Sequence, residues 1–320
     1  MHLRGVHLGW FMLRFSQRSN KSAMQARWRR RAAALLGASS IVFGAAAAAR
    51  AQDDSAFHEI ETKYIFGSFT IGSSTGIEGE KSFESENLIS LGKRGGRYGA
   101  LQSVLEFEYT PNQTSQIEFG PIISAYDIRG VPGLDDRTSA GIGGFEAEFR
   151  SVLLDRGTLP LAVTLAIEPE FHNIDETSGA QVTNYGLETK LEADAELIKN
   201  RLYLGFNLLY EPETTGNEFG GWDDESTIGG SVALAWQVIP NVAIGADLWY
   251  LRHYDGLTFR TFTGDAVYLG PTLYWKIDRK MLLSAAWETQ IAGHEVGVPG
   301  PFDLTDFSQT RARLLFEYEF

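Results

Sequence analysis

Cysteine is absent from the 320-residue chain. That excludes disulfides, thiolate metal sites and a lipid-anchored N-terminal cysteine. Basic residues are outnumbered by acids, 28 to 41, for a net charge of −13. A nucleic-acid binder should instead carry a basic face, so no nucleic-acid partner is expected. Beyond residue 51 no apolar run approaches the ~20 residues a membrane helix needs, and helical spacing is almost missing. The chain is nonetheless rich in packing material. Its 43% hydrophobic and 12% aromatic content excludes a disordered protein.

Charge divides the chain in two. Residues 1–51 hold nine of the 28 basic residues and no acid, which leaves all 41 acids against 19 bases downstream. From Met24 a basic stretch (Arg27, Arg29, Arg30, Arg31) precedes the apolar run 32–49, followed by Ala49-Arg50-Ala51. This is the three-part pattern of a secretory signal over 24–51, with cleavage expected after Ala51. A membrane anchor is the weaker reading, because the run is Ala-rich with Gly and Ser inside it. A twin-arginine route is weaker too, since no cofactor motif calls for export in the folded state. Residues 1–23 fall outside such a signal and read as an upstream extension from a start placed too early. Residues 52–58 form a short tail.

The remainder, 59–320, alternates with period two over ten or more residues, the mark of strands with two unlike faces. In 185–197, Tyr185, Leu187, Leu191, Ala193, Ala195 and Leu197 share one face, and Glu188, Lys190, Glu192, Asp194 and Glu196 the other. Tight turns, such as Lys199-Asn200 and Pro240-Asn241, alternate with longer Gly/Asp/Thr-rich segments near 128–139, 173–182, 214–225, 254–265 and 294–308. Short turns at one end and long loops at the other are the asymmetry of a membrane barrel, whose strand number is even. Thirteen segments alternate, so one must lie outside the wall. Taking 59–71 as the first strand and 98–110 as the second places 83–91 in a large first loop, 72–97. The expected fold is therefore all-β, a transmembrane antiparallel up-and-down barrel of twelve strands. Aromatics near strand ends on the apolar face (Tyr109, Phe171, Trp236, Trp275, Phe320) suit interfacial girdles.

A soluble β-sandwich also alternates, with its apolar face inward. Strands longer than the usual 5–6 residues, the export signal and the last strand weigh against it. The chain stops on Phe316-Glu317-Tyr318-Glu319-Phe320. This ending resembles the C-terminal signal of Gram-negative outer-membrane β-barrel proteins, a terminal Phe with aromatic or apolar residues at every second position before it. The resemblance implies that the barrel-assembly machinery reads Phe316, Tyr318 and Phe320. It also implies outer-membrane lipid and lipopolysaccharide as surroundings, and a monomer is expected.

If apolar side chains face lipid, acids concentrate in the lumen. The expected pore-lining set is Glu106, Glu118, Glu146, Glu148, Glu168, Glu170, Glu188, Lys190, Glu192, Asp194, Arg311 and Arg313. Like charges on neighbouring strands destabilise a sheet unless water, counter-ions or bases screen them; Lys63, Lys190, Arg311 and Arg313 are the candidate bases. Two arrangements follow: a transverse field across an open water path, or an interlocked salt-bridged plug. Small interior residues (Gly120, Gly144, Ala162, Ala166, Gly205) leave room, and bulky ones (Tyr126, Tyr203, Trp249, Tyr268, Tyr274) remove it. A narrow, cation-preferring passive channel is the expectation, because unpaired carboxylates are costly unless hydrated. The alternative is a closed structural or surface-interaction barrel whose loops carry the function.

Other chemistry lacks a pattern. His58, His172, His253 and His294 sit in no GxSxG or HExxH context, so no enzyme is expected. Asp135-Asp136, Asp175-Glu176 and Asp223-Asp224-Glu225 lack calcium-loop spacing and read as solvated charge, and neither a metal nor another cofactor is expected. Gly92-Lys93-Arg94-Gly95-Gly96-Arg97 lacks the order of a phosphate loop and reads as a basic turn.

Overall fold

A strand whose backbone must be satisfied on both sides needs two neighbours, and only a closed sheet gives every strand both. In the computed structural model, which describes residues 57–320 except 157–159 and 218, twelve antiparallel strands close in this way. They are β1 (Lys81–Leu91), β2 (Arg97–Asn112), β3 (Ser115–Arg129), β4 (Arg137–Leu154), β5 (Leu161–Ile174), β6 (Gln181–Ile198), β7 (Leu202–Gly216), β8 (Trp222–Ile239), β9 (Val242–Asp255), β10 (Thr261–Lys276), β11 (Met281–Glu295) and β12 (Thr310–Glu319). Each pairs with its neighbours in sequence, and β1 pairs with β12 from Ser82 opposite Glu319 to Leu91 opposite Thr310. No helix occurs among the described residues. The signal 24–51 with its cleavage point, the extension 1–23 and residues 52–56 of the tail lie outside the described residues.

The two faces separate as patterning demands. On β3, Ile117, Phe119 and Ile123 are exposed outward, while Gln116, Glu118, Ile122 and Ser124 are buried inward. Outward phenylalanines join into a stripe across strands: ring centroids of Phe119 lie 6.5 Å from Phe145 and 5.7 Å from Phe107, and Phe107 lies 6.2 Å from Phe320. An apolar exterior around charged side chains inverts the order of a soluble β-protein and suits a bilayer. The sandwich reading is excluded.

Twelve is the expected count, but its membership differs. The wall strand is β1, which contains 83–91, and 59–71 is not a strand. Parity shows that one of thirteen alternating segments must leave the wall without saying which. Backbone geometry decides. Gly67 and Ser68 both adopt positive φ, 90° and 72°, and fold 59–71 back on itself. Segment 81–91 stays extended, with Ser82, Glu84 and Glu86 facing inward and pairing on both sides. Its outward Asn87 bonds Ser103 at 2.7 Å rather than facing lipid unpaired.

The large first loop 72–97 is thereby corrected to 92–96. The end asymmetry persists. Connections at one end span 113–114, 155–160, 199–201, 240–241 and 277–280; those at the other span 92–96, 130–136, 175–180, 217–221, 256–260 and 296–309. Several loops are shorter than the Gly/Asp-rich segments suggest, because strands run on into them, as β7 and β8 do to Gly216 and Trp222.

Candidate functional site

Displaced from the wall, residues 57–75 enter the lumen from the short-turn end. Every residue in 62–73 is buried. The two limbs are pinned to each other: Gly72 N–H donates to Lys63 O at 2.9 Å, and Thr62 N–H to Ser74 Oγ at 3.0 Å. A backbone inside a barrel has no strand to pair with, so its polar groups need side-chain partners. The wall supplies them. Asn207 accepts from Ile71 N–H at 2.8 Å and donates to Ile71 O at 2.7 Å. Asp247 accepts from Thr70 N–H at 3.0 Å, and Asp194 from Ser73 N–H at 2.6 Å. Arg150 donates to Gly72 O at 2.8 Å, Arg313 to Ser68 O at 2.7 Å, and Ser284 to Tyr64 O at 2.9 Å.

Apolar packing completes the seat. Ile60, Tyr64, Ile65, Phe66 and Ile71 form one cluster with wall residues including Tyr203, Tyr274 and Leu315. Higher up, Phe69 packs with Trp249, Leu251 and Tyr268. Gly205 makes room: a Cβ there would lie 2.8 Å from the Phe66 ring.

Several acids of this lower half are answered by bases, while Glu106 and Glu317 make no ion pair among the described residues. Register sets Glu108 opposite Glu118, Glu118 opposite Glu148, and Glu84 opposite both Glu106 and Glu317. Such rungs of like charge need a cation between them. Lys63, carried in by the inserted segment, lies 2.5 Å from Glu108, 2.6 Å from Glu118 and 3.5 Å from Glu84. Arg150 lies 2.8 Å from Glu192 and 3.5 Å from Glu148. Asp194 pairs with Arg156.

Above the segment the lumen opens into a cavity of about 320 Å³. Phe69 of the inserted segment lines it from below, and Asp306, Phe307 and Ser308 of the last loop line it from above. Seven of the expected pore-lining residues lie here: Glu146, Glu168, Glu170, Glu188, Lys190, Arg311 and Arg313. Lys190 lies 2.5 Å from Glu188 and 3.7 Å from Glu168, and Arg311 2.6 Å from Glu288. Arg313 pairs with Glu86. Glu146 and Glu211 make no ion pair or side-chain hydrogen bond among the described residues. A second cavity, about 300 Å³, continues towards the loops past Glu211, Glu213, Glu225 and His253.

The expected set thus splits between two settings. Glu106, Glu118, Glu148, Glu192 and Asp194 also point inward, but they sit in the filled lower half and line neither cavity. Phe316, Tyr318 and Phe320 point outward on the strand that closes the barrel and its terminus. Of the histidines, His172 bonds Glu170 and His253 bonds Thr263, both at 2.9 Å; His294 stacks on Phe262, and His58 is exposed. The inserted segment and its anchors Asn207 and Asp247 escaped sequence reasoning. The adjacent Gly67-Ser68, in the middle of an alternating run, was the signal available.

Residues 58–320 match the model of DUF6662, a family of unknown function. The chain belongs to that family. No curated protein matches it significantly. Among solved structures, it is similar to the COG4313 outer membrane channel from Pseudomonas putida F1, with a TM-score of 0.53 at 10% identity over 78% of this chain and 98% of that one. The NanC porin gives 0.45 at 10% identity over 74% and 100%, and the KdgM porin in complex with disordered oligogalacturonate 0.43 at 13% over 75% and 99%. The first likeness concerns the fold, and with the lipid-facing exterior it makes this DUF6662 protein an outer-membrane β-barrel.

Proposed function

We propose that this protein is a monomeric outer-membrane channel for small, preferentially cationic solutes, closed in its resting state by its own N-terminal segment. Its surroundings are lipid and lipopolysaccharide, and the assembly machinery reads its terminal strand. The observation that carries the reading is a vestibule whose acids are only partly answered by bases. Below, Lys63 presents an ammonium to three carboxylates. Above, Glu146 and Glu211 face the cavity of about 320 Å³ with no base of their own. A wall of hydrated carboxylates raises the local cation concentration and repels anions.

The segment occupies the space a solute would cross, so transport requires its displacement. A closed structural barrel is the second reading, favoured by the burial of all of 62–73.

Planar-bilayer recording separates the two. Thr70 Oγ1 and Ser231 Oγ lie 2.5 Å apart, and the chain has no native cysteine, so T70C/S231C gives a clean cross-link from segment to wall. The oxidised variant is expected to stay silent, the reduced one to open intermittently, and a variant lacking 57–75 to conduct continuously with cation selectivity. A folded 57–75 deletion that passes no current would establish the closed barrel.

A further inference from the structure

Where the two cavities meet, an imidazole stands between carboxylates. His172, near the loop end of β5, has a side chain only 3% exposed. Its Nε2 lies 2.9 Å from Glu170 Oε2. Its Nδ1 faces Glu176 Oε1 at 3.5 Å and has no hydrogen-bond partner among the described residues. One donor atom each from Glu170, His172 and Glu176 fall within 4.8 Å of one another. His172 and Glu176 line both cavities, so a solute arriving from the loop end meets them.

A neutral imidazole carries one N–H and one lone pair. With Nε2–H donated to Glu170, the lone pair is on Nδ1, aimed at a carboxylate that is also only an acceptor. The Nδ1 lone pair, buried with its ring, and a half-exposed carboxylate oxygen that takes one donor from Gln102 Nε2 at 2.7 Å repel unless a cation lies between them. The cross-strand neighbour Asn184 adds an amide oxygen without a partner. Its amide nitrogen faces Glu213, at 3.4 Å, which brings a further negative charge to the rim.

We propose that His172 Nδ1 and Glu176 bind a divalent transition cation of the Zn²⁺ or Ni²⁺ type, with Glu170 orienting the ring from behind. A carboxylate holding the far nitrogen of a metal-bound histidine fixes both its tautomer and its direction. The imidazole also sets the choice of ion. Mg²⁺ and Ca²⁺ favour all-oxygen shells, whereas borderline transition ions accept nitrogen readily. A proton is the competing occupant of the same gap, so affinity rises with pH. Asp175 caps its own turn, accepting from the N–H of Ser178 at 2.6 Å. Glu176 stays half-exposed at the loop end, at the rim of both cavities.

The inference goes beyond transport, because it concerns equilibrium binding and needs no current. The full chain, refolded in detergent, is titrated calorimetrically with Zn²⁺ and separately with Mg²⁺, and with Co²⁺ by visible absorption. Expected are saturable Zn²⁺ uptake, at least about tenfold tighter than Mg²⁺, and a Co²⁺ spectrum with nitrogen ligation. His172→Gln abolishes the spectrum, and Glu170→Gln weakens binding by about 10- to 100-fold. Glu176→Gln, on an exposed loop residue that leaves the wall intact, keeps the test valid if the His172 variant does not fold. Absence of saturable Zn²⁺ uptake, or uptake unchanged in both His172→Gln and Glu176→Gln, overturns the proposal.

Discussion

The lower and upper halves of this lumen are built from the same strands with the same alternation, yet one is filled by a chain segment and the other by a cavity. In the lower half Glu84, Glu108, Glu118, Glu148 and Glu192 each have a base within 3.5 Å. Glu106 there has none among the described residues. In the upper half Lys190 pairs with Glu188 and Glu168, whereas Glu146 and Glu211 have no base among the described residues and face a cavity. Residues 57–75 make the difference. They bring one ammonium and a backbone whose polar groups bond to the wall into the lower half, and they reach up to Phe69. A carboxylate wall thus serves two ends: with a chain segment inside it is a binding seat, and with water inside it is a selectivity surface.

Removing the ammonium should break the comparison most severely. Lys63→Met keeps the alkyl stem and leaves three buried carboxylates facing one another. Loss of one partner from a buried ion pair costs about 3–5 kcal/mol. The cost is expected as release of the segment rather than loss of the barrel, because the wall keeps its ladders. Amide exchange over 62–73 should accelerate by two to three orders of magnitude, about 3–4 kcal/mol at 1.4 kcal/mol per tenfold, with strand protection unchanged. Glu118→Gln in the same chain should restore part of it. Unaltered exchange in Lys63→Met would mean that the lower half is held by packing alone.

What could be read from the sequence follows the same division. Strand faces were legible because alternation is local: Glu188, Lys190, Glu192 and Asp194 need only their own neighbours to declare a side. The even strand number was legible from turn chemistry. The identity of the first strand was not, since 59–71 and 83–91 alternate equally well. The partners of 59–71 lie far away in sequence, Asp247 for Thr70 and Asn207 for Ile71. No local period reports such pairing. The split of the pore-lining set was hidden for the same reason: whether Glu118 or Glu146 meets water depends on how deep the segment reaches.

A smaller effect tests the upper half. In the variant lacking 57–75, Glu146→Gln and Glu168→Gln should each lower cation preference, read as a shift of the reversal potential towards zero across a salt gradient. A unit charge at 4 Å in water is worth ~1 kcal/mol, so each change should reduce the permeability ratio about fivefold or less. Glu118→Gln should change it by a similar amount once the segment is gone, because the two halves then become alike. A ratio that responds to Glu118 but not to Glu146 would place the selective surface below the vestibule.

The mildest expectation concerns the lid of the vestibule. The loop 296–309 docks where Gln290 Nε2 of β11 donates to Asp303 O at 2.8 Å, and the Asp303 carboxylate holds the loop's own turn, accepting from Thr305 N–H and Asp306 N–H at 3.2 and 3.1 Å. Burial, reinforced by the Asp306 charge, pushes the Asp303 carboxyl up to about 7. A raised carboxyl holds its proton better in the docked loop than in the free one. Docking is therefore strongest below pH ~4 and weakens as pH rises through about 7. Lys93, whose ammonium donates to Thr305 O at 2.7 Å, is held down to about 8 by burial and titrates above this window. The protection factors of the 296–309 amides, each rate taken relative to the intrinsic rate at its own pH, should be higher at pH 5 than at pH ~7.5, and Asp303→Asn should flatten the difference. A pH dependence that survives in Asp303→Asn would shift the control away from Asp303, and the upper half would then open and close by a different group from the one that orders its lid.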